Sequence, residues 1–232
     1  MTEPATTSRN PRNRWIVLGV LALVVVVAGA IALASGGGGD SGGSTKTAAD
    51  TAVETASVTV EGTALPRFAD TGTDPAIGDT IPTLVGRSFD GSSVTIGPAR
   101  KPQVIVFVAH WCPHCQAEVP RIVSLAKSGA FHGITVATVA TGTNRTYPNY
   151  PPSSWLEREQ WPFPVMVDSN GQAAAGAFGL PAYPYFVFVD AQGRVVGRAT
   201  GEIAPSDLAR ILRSLAAGSA LPLQGGASSS SS

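Results

Sequence analysis

Cys112 and Cys115 are the only two cysteines in 232 residues, and Pro113 and His114 stand between them. A CxxC pair can exchange electrons with other thiols, hold half of a metal site, or close a small structural ring. Zinc in a structural site wants four ligands. His110 and His114 would have to join the cysteines, crowding all four ligands into the six residues from His110 to Cys115. That geometry speaks against a metal, and none is expected. A purely structural disulfide would close a very short loop and stabilise little. Thiol–disulfide exchange asks for much less: a thiolate as nucleophile, a second thiol to resolve the mixed disulfide, and no cofactor.

Such a thiolate has to be positioned, and the flanking residues supply the means. Val104–Ala109 is an unbroken apolar run, the pattern of a central strand covered on both faces. Pro113 suits the first helical position, where a missing N–H costs nothing. Cys112 then stands at a helix N-terminus, where unpaired N–H groups and the helix dipole favour a thiolate. Cys115 follows one turn on, placed to close or resolve a disulfide. His114, when protonated, lowers the energy of the thiolate further. The expectation is a depressed pKa at Cys112, an exposed front sulfur, and a more oxidising couple than a motif without histidine would have. Val119, Ile122, Val123 and Ala126 give this helix its apolar face, and Pro120 is expected to kink it.

Trp111-Cys-Pro-His-Cys115 after an apolar strand resembles the thioredoxin superfamily. Cys115-Gln-Ala-Glu-Val-Pro120 is similar to the CxxExP continuation of the TlpA/ResA-like thiol–disulfide oxidoreductases. Asp74–Pro82, Phe89-Asp90-Gly91, Gly179–Asp190 and Gly193–Arg198 resemble further blocks of that family, so the likeness covers roughly residues 74–217. It implies an α/β, thioredoxin-like fold with an N-terminal β-hairpin extension. It also implies a cis bond at Tyr183–Pro184 that lies against the cysteines. Trp111, Tyr183 and Pro184 would then bind the substrate chain. Glu118 would handle the proton of the buried cysteine, since the strand aspartate that thioredoxin uses for this is replaced here by Val106. The family mostly reduces disulfides, for instance those of apocytochrome c, and is recharged by a membrane thiol carrier. Reduction is therefore the expected direction. The Cys-Pro-His-Cys sequence itself resembles the disulfide-forming DsbA group, which keeps an oxidase open as the alternative. A peroxiredoxin-like peroxidase fits less well, because Trp111 stands where a Pro/Thr frame belongs. A non-catalytic binding module fits less well because both cysteines are present.

The rest of the domain reads as alternating strands and helices. Thr83–Phe89 and Ser92–Ile96 flank Asp90-Gly91 and predict a hairpin. Ile134–Ala140, Pro164–Val167, Tyr185–Val189 and Val195–Ala199 read as strands. Ser153–Gln160 and Gln172–Phe178 read as short helices, and Leu208, Ile211, Leu212 and Leu215 mark one face of a closing helix ended by Gly218. Tyr147, Tyr150, Trp155 and Trp161 crowd the insert at 141–163, where packing is the expected use of large aromatics.

Before the domain, residues 1–14 carry Arg9, Arg12 and Arg14, and 15–34 are twenty uncharged residues. At about 1.5 Å per residue the latter match a roughly 30 Å hydrocarbon core. One transmembrane signal anchor with a cytoplasmic N-terminus and an extracytoplasmic catalytic domain is expected. Secretion after cleavage near Ala34 is the alternative, since Ala32-Leu33-Ala34 has the small-residue pattern of a cleavage site. Residues 35–57 are Gly/Ser/Thr/Ala-rich and read as a flexible linker, 58–218 as the domain, and 219–232 as a disordered tail. Sixteen basic residues balance sixteen acidic ones with no basic patch, so nucleic acid is not an expected partner. The expected partners are exported proteins that carry cysteines, a membrane thiol electron-transfer partner, and the membrane itself through the N-terminal helix. An intact-mass measurement on the mature protein should find the 15–34 segment retained; a mass that begins after Ala34 would establish cleavage.

Overall fold

Side chains along a strand point alternately to opposite faces, and the central strands use that alternation to divide the core in two. The structure is a computed structural model that describes residues 52–69 and 72–223. Its strands are β1 (Thr59–Glu61), β2 (Thr83–Arg87), β3 (Ser93–Ile96), β4 (Gln103–Val108), β5 (Thr135–Ala140), β6 (Val165–Val167), β7 (Tyr185–Val189) and β8 (Val195–Thr200). Its helices are α1 (Pro113–Lys127), α2 (Pro152–Arg158), α3 (Ala173–Ala177) and α4 (Pro205–Ala216). Val104, Val106 and Val108 of β4 pack with Phe186 and Phe188 of β7 into one cluster, which includes the apolar faces of α1 and α4. Ile105 and Phe107 go to the opposite cluster with Tyr185, Val187, Val189 and Ala174, Ala175 and Ala177 of α3. Every residue of β4 and of β7 is buried, as an apolar run without alternation requires.

The strands form one sheet in the order β1-β2-β6-β5-β4-β7-β8, with β3 paired to β2. β4, β5 and β6 are parallel neighbours, so each connection needs a crossover, and α1 and α2 supply them. β7 pairs antiparallel with β4, and β8 pairs antiparallel with β7, so β8 runs in the same direction as the parallel core. This is a thioredoxin-like α/β fold with the expected hairpin at its N-terminal side. The hairpin strands stop short of the sequence estimate, because the turn is wider than two residues. Ser88 N–H donates to Ser92 O at 2.9 Å and Gly91 N–H to Ser88 O at 3.0 Å. Asp90 Oδ1 accepts from Ser92 N–H at 2.8 Å, and Gly91 takes a φ of 79° that favours glycine. α1 runs on through Pro120 as a single 15-residue helix.

Both ends of the described chain lie against the domain. Val53 N–H donates to Phe89 O at 2.7 Å, Ser153 donates to Glu54 through its N–H and its hydroxyl, and three more residues form β1. At the other end Leu221 and Leu223 pack over Gly197, where a Cβ would collide with Leu223. The apolar stretch Trp15–Ala34 lies outside the described residues, and among those described no helix is long and apolar enough to cross a membrane.

One buried ion pair ties the lead-in to the last strand. Arg198 has a fully buried side chain, and it grips Asp74 through Nε at 2.8 Å and through Nη2. Its Nη1 also donates to Pro66 O at 2.8 Å and to the Tyr185 hydroxyl at 3.1 Å. Burial works to raise the Asp74 pKa, but hydrogen bonds from Arg198 and the Ala76 N–H outweigh it and hold the carboxyl below its ordinary value. Removing one member of such a pair strands the other charge. Asp74→Asn should therefore cost about 3–5 kcal/mol in urea unfolding. Because the folded-state pKa is depressed, the pair's contribution is full above the ordinary carboxylate pKa and fades as pH falls through the folded value. The variant's stability should lack that acid limb.

Candidate active site

α1 begins where the sequence predicts. Cys112 is its N-cap with φ −73° and ψ 121°, Pro113 follows at the first position, and no side chain caps the helix. The open N–H groups turn toward sulfur instead. Cys112 is drawn down to a pKa of about 6, first by a hydrogen bond from the Cys115 thiol. Burial opposes this; the N–H groups of Cys115 and His114 and the charge on His114 assist it. Cys115 has no exposure at all. Burial is the main force holding its thiol protonated, the neighbouring Cys112 sulfur adds to it, and the Ala109 N–H at 3.5 Å gives only partial relief. The two cysteines are free thiols, and the pair carries its negative charge on one sulfur only.

The front sulfur departs from the expectation of free exposure. Cys112 is only 6% exposed. The cause is the loop before β7: the Tyr183–Pro184 bond is cis, and the Tyr183 carbonyl lies 3.7 Å from Cys112 Sγ. Trp111 stands beside them, its Nε1 donating to Gly142 O at 2.8 Å and its ring meeting Tyr183 edge-on at 5.7 Å and Tyr147 at 5.4 Å. Tyr183 is held in turn through its hydroxyl on Gln172 Oε1 at 2.6 Å. Trp111, Cys112, Tyr183 and Pro184 are thus brought together. Of the insert aromatics, Trp155 is buried and Trp161 donates to Thr138 Oγ1, both as packing, whereas Tyr147 stays half-exposed at the rim.

Glu118 is fully buried one turn beyond Cys115, and burial pushes its pKa up to about 7 against the Ile203 N–H and Arg121, which favour the anion. His114 sits on the outside of the same helix, away from the core. Its Nδ1 pairs with Glu202 at 2.8 Å, and this hydrogen bond raises its pKa. Glu202 also holds Arg121 at 2.5 Å, and Arg121 lies 3.5 Å from Glu118. Neither Arg121 nor Glu202 stands out in the sequence; Glu202 is 88 residues from His114 and no local pattern links them.

His110 also has a place that its spacing did not reveal. Its Nδ1 donates to Pro148 O at 2.7 Å and its Nε2 accepts from Asn144 N–H at 3.2 Å, which makes the ring neutral and fixes the tautomer. Burial lowers its pKa, in keeping with that state. Both ring nitrogens are engaged in pinning the insert to the start of α1, so neither is turned to a metal.

The Redoxin family's sequence profile matches residues 76–212. The chain belongs to the Redoxin family. Within it the TlpA/ResA-like resemblance has support from relatives. The thiol-disulfide oxidoreductase ResA of Geobacillus thermodenitrificans is 26% identical over 141 residues, 60% of this chain and 78% of ResA. The soluble secreted antigen MPT53 of Mycobacterium tuberculosis is 31% identical over 114 residues, 49% of this chain and 60% of MPT53. Among solved structures, a thioredoxin-family thiol:disulfide interchange protein of Chlorobium tepidum superposes with a TM-score of 0.50 at 25% identity, covering 60% of this chain and 97% of that one. An uncharacterised conserved protein of Geobacillus kaustophilus shares the fold, with a TM-score of 0.56 at 21% identity over 64% of this chain and 86% of that one.

Two thiols of such different acidity in a Redoxin site should be separable by alkylation. In the reduced protein, iodoacetamide should modify Cys112 with a pH midpoint near 6 and leave Cys115 untouched. His114→Gln should move that midpoint upward. A midpoint in the ordinary thiol range of about 8.5 would contradict the electrostatics of the helix start.

Proposed function

We propose that this chain is an extracytoplasmic, membrane-anchored oxidoreductase that reduces disulfides in exported proteins, with apocytochrome c among the candidate substrates. The observation that carries the reading is the division of labour between the sulfurs: Cys112 ionises near pH 6, while Cys115 is buried and protonated beside Glu118.

In the first step the Cys112 thiolate attacks one sulfur of a substrate disulfide. A Cys112–substrate bond forms, and the other substrate sulfur leaves as a thiolate that takes a proton from solvent. In the second, Cys115 gives its proton to the Glu118 carboxylate and attacks Cys112. The Cys112–Cys115 disulfide forms and the second substrate thiolate departs. Two electrons have passed to the substrate, and a membrane thiol partner returns them in the same way. Trp111 and the Tyr183–Pro184 loop receive the substrate backbone across Cys112, whose low exposure suits a chain laid over that loop. Pro113 starts the helix at a position where its missing N–H costs nothing, and the N–H groups of His114 and Cys115 behind it serve the Cys112 sulfur.

Direction follows from how strongly the dithiol is favoured. A front-cysteine pKa of about 6 lies nearer thioredoxin, about 7, than DsbA, about 3.5, and supports reduction. The Pro-His dipeptide supports the second reading, a disulfide-forming oxidase, because a cation beside Cys112 stabilises the dithiol. The domain should reduce insulin disulfides in the presence of an electron donor, and Cys112→Ser should abolish this. Glu118→Gln should slow turnover by up to about 100-fold while Cys112 alkylation stays normal. Equilibration with glutathione should give a potential of about −200 mV or lower; a value near −120 mV would reverse the assigned direction.

A further inference from the structure

The loop after β8 meets the site at three consecutive residues. Gly201 N–H donates to Pro184 O at 2.9 Å. Glu202 takes His114 at 2.8 Å with one oxygen and Arg121 at 2.5 Å with the other. Ile203 N–H reaches Glu118 Oε1 at 3.4 Å. The cis proline, the histidine inside the CxxC motif and the buried acid are therefore all held from one short segment that contains no cysteine. Glu202 is its only ionisable member, and its carboxylate is divided between the two cations.

We propose that Glu202 is a positioning residue that keeps His114 cationic beside Cys112 and thereby sets how far the dithiol is favoured over the disulfide. The proposal rests on the exchange reading and adds a residue to it. A cation next to Cys112 stabilises a thiolate, and only the reduced pair has one. An unpaired histidine gives up most of its charge near neutral pH. Glu202 prevents that. Its own carboxyl is held low by His114 first and Arg121 second, so the pairing anion is present across the working range. The same geometry bears on Glu118. Arg121 Nη1 sits at 2.5 Å from Glu202 and 3.5 Å from Glu118, so the cation is drawn outward and burial is left to dominate the buried acid. Besides Glu202, the charged or titratable groups around His114 and Cys112 are Arg121, Glu118, Cys115 and Tyr183. The Cys112 thiolate itself also favours the imidazolium, behind the Glu202 hydrogen bond; among the described contacts, none of the other four supplies an anion to the imidazole.

A signature in pH separates this role from a structural one. Near neutrality, loss of Glu202 discharges His114 and destabilises the thiolate. Where an unpaired histidine is protonated anyway, only the negative charge of Glu202 is lost, so the effect shrinks or reverses. The test is Glu202→Gln in the whole chain, equilibrated with glutathione at about pH 7 and about pH 5.5, with the pH profile of Cys112 alkylation measured in parallel. At about pH 7 the equilibrium should move toward the disulfide by about two- to fivefold, the scale of an exposed ion pair. It should move less, or the other way, at about pH 5.5, and the alkylation midpoint should rise. Glu202→Asp should restore most of both. The substitution should add nothing in a His114→Gln background. An unchanged equilibrium and alkylation profile at neutral pH in a protein that melts normally would overturn the proposal. So would an equal shift in the His114→Gln background. These readings come from the sulfur pair itself, so a protein that fails to reduce insulin would sink the proposed reductase direction and leave this test intact.

Discussion

One negative charge placed on one of two neighbouring sulfurs is the constraint on which the rest of the site depends. A helix that starts with proline and lacks a side-chain cap leaves its first N–H groups seeking an acceptor. Cys112 meets them at the rim, and Cys115 is one turn deeper, where an ion would have no solvent. The asymmetry comes first from the hydrogen bond that the Cys115 thiol gives Cys112 and from the burial of Cys115, and the helix-start N–H groups and the charge on His114 add to it. Both sulfurs owe their places to where the helix begins relative to the sheet, and that is fixed by β4, whose residues are buried throughout and whose C-terminal end lies at the site.

Around this start the domain uses long-range contacts to hold short-range chemistry. The loop before β7 lays the Tyr183 carbonyl over Cys112. The loop after β8 binds His114, Arg121 and Glu118. The insert is locked by a neutral His110 whose ring bonds two backbone groups. Three separate segments thus converge on a helix start, which is what a rigid sheet permits: every anchoring segment leaves from, or packs on, strands whose positions are fixed by the divided core.

What could be read from the residues alone was whatever carried a local pattern. The apolar run before Trp111, the proline after Cys112 and the 3.6-residue spacing of Val119, Ile122 and Val123 led to β4, α1 and the helix-start sulfur. The Asp90-Gly91 turn and the strand at Tyr185–Val189 were legible for the same reason. The three-residue β1 is too short to show a period. Arg198 and Asp74 are 124 residues apart, and a lone arginine in a strand resembles any solvated one. The low exposure of Cys112 comes from a loop 71 residues away, so a motif that predicts acidity does not predict cover. Glu118 could be singled out only through its family pattern, since an acid on a helix gives no sign of its burial.

The residues beyond α4 carry a practical consequence. By composition the helix ends at Gly218 and nothing after it should matter to the domain. Leu221 and Leu223 nevertheless cover the bare backbone of Gly197, and both join the cluster that holds α1. Cutting an expression clone at Gly218 would uncover apolar surface along the outermost strand, an edge already prone to pairing with other chains. The serviceable C-terminal boundary of this domain therefore falls after Leu223, and an affinity tag belongs beyond it.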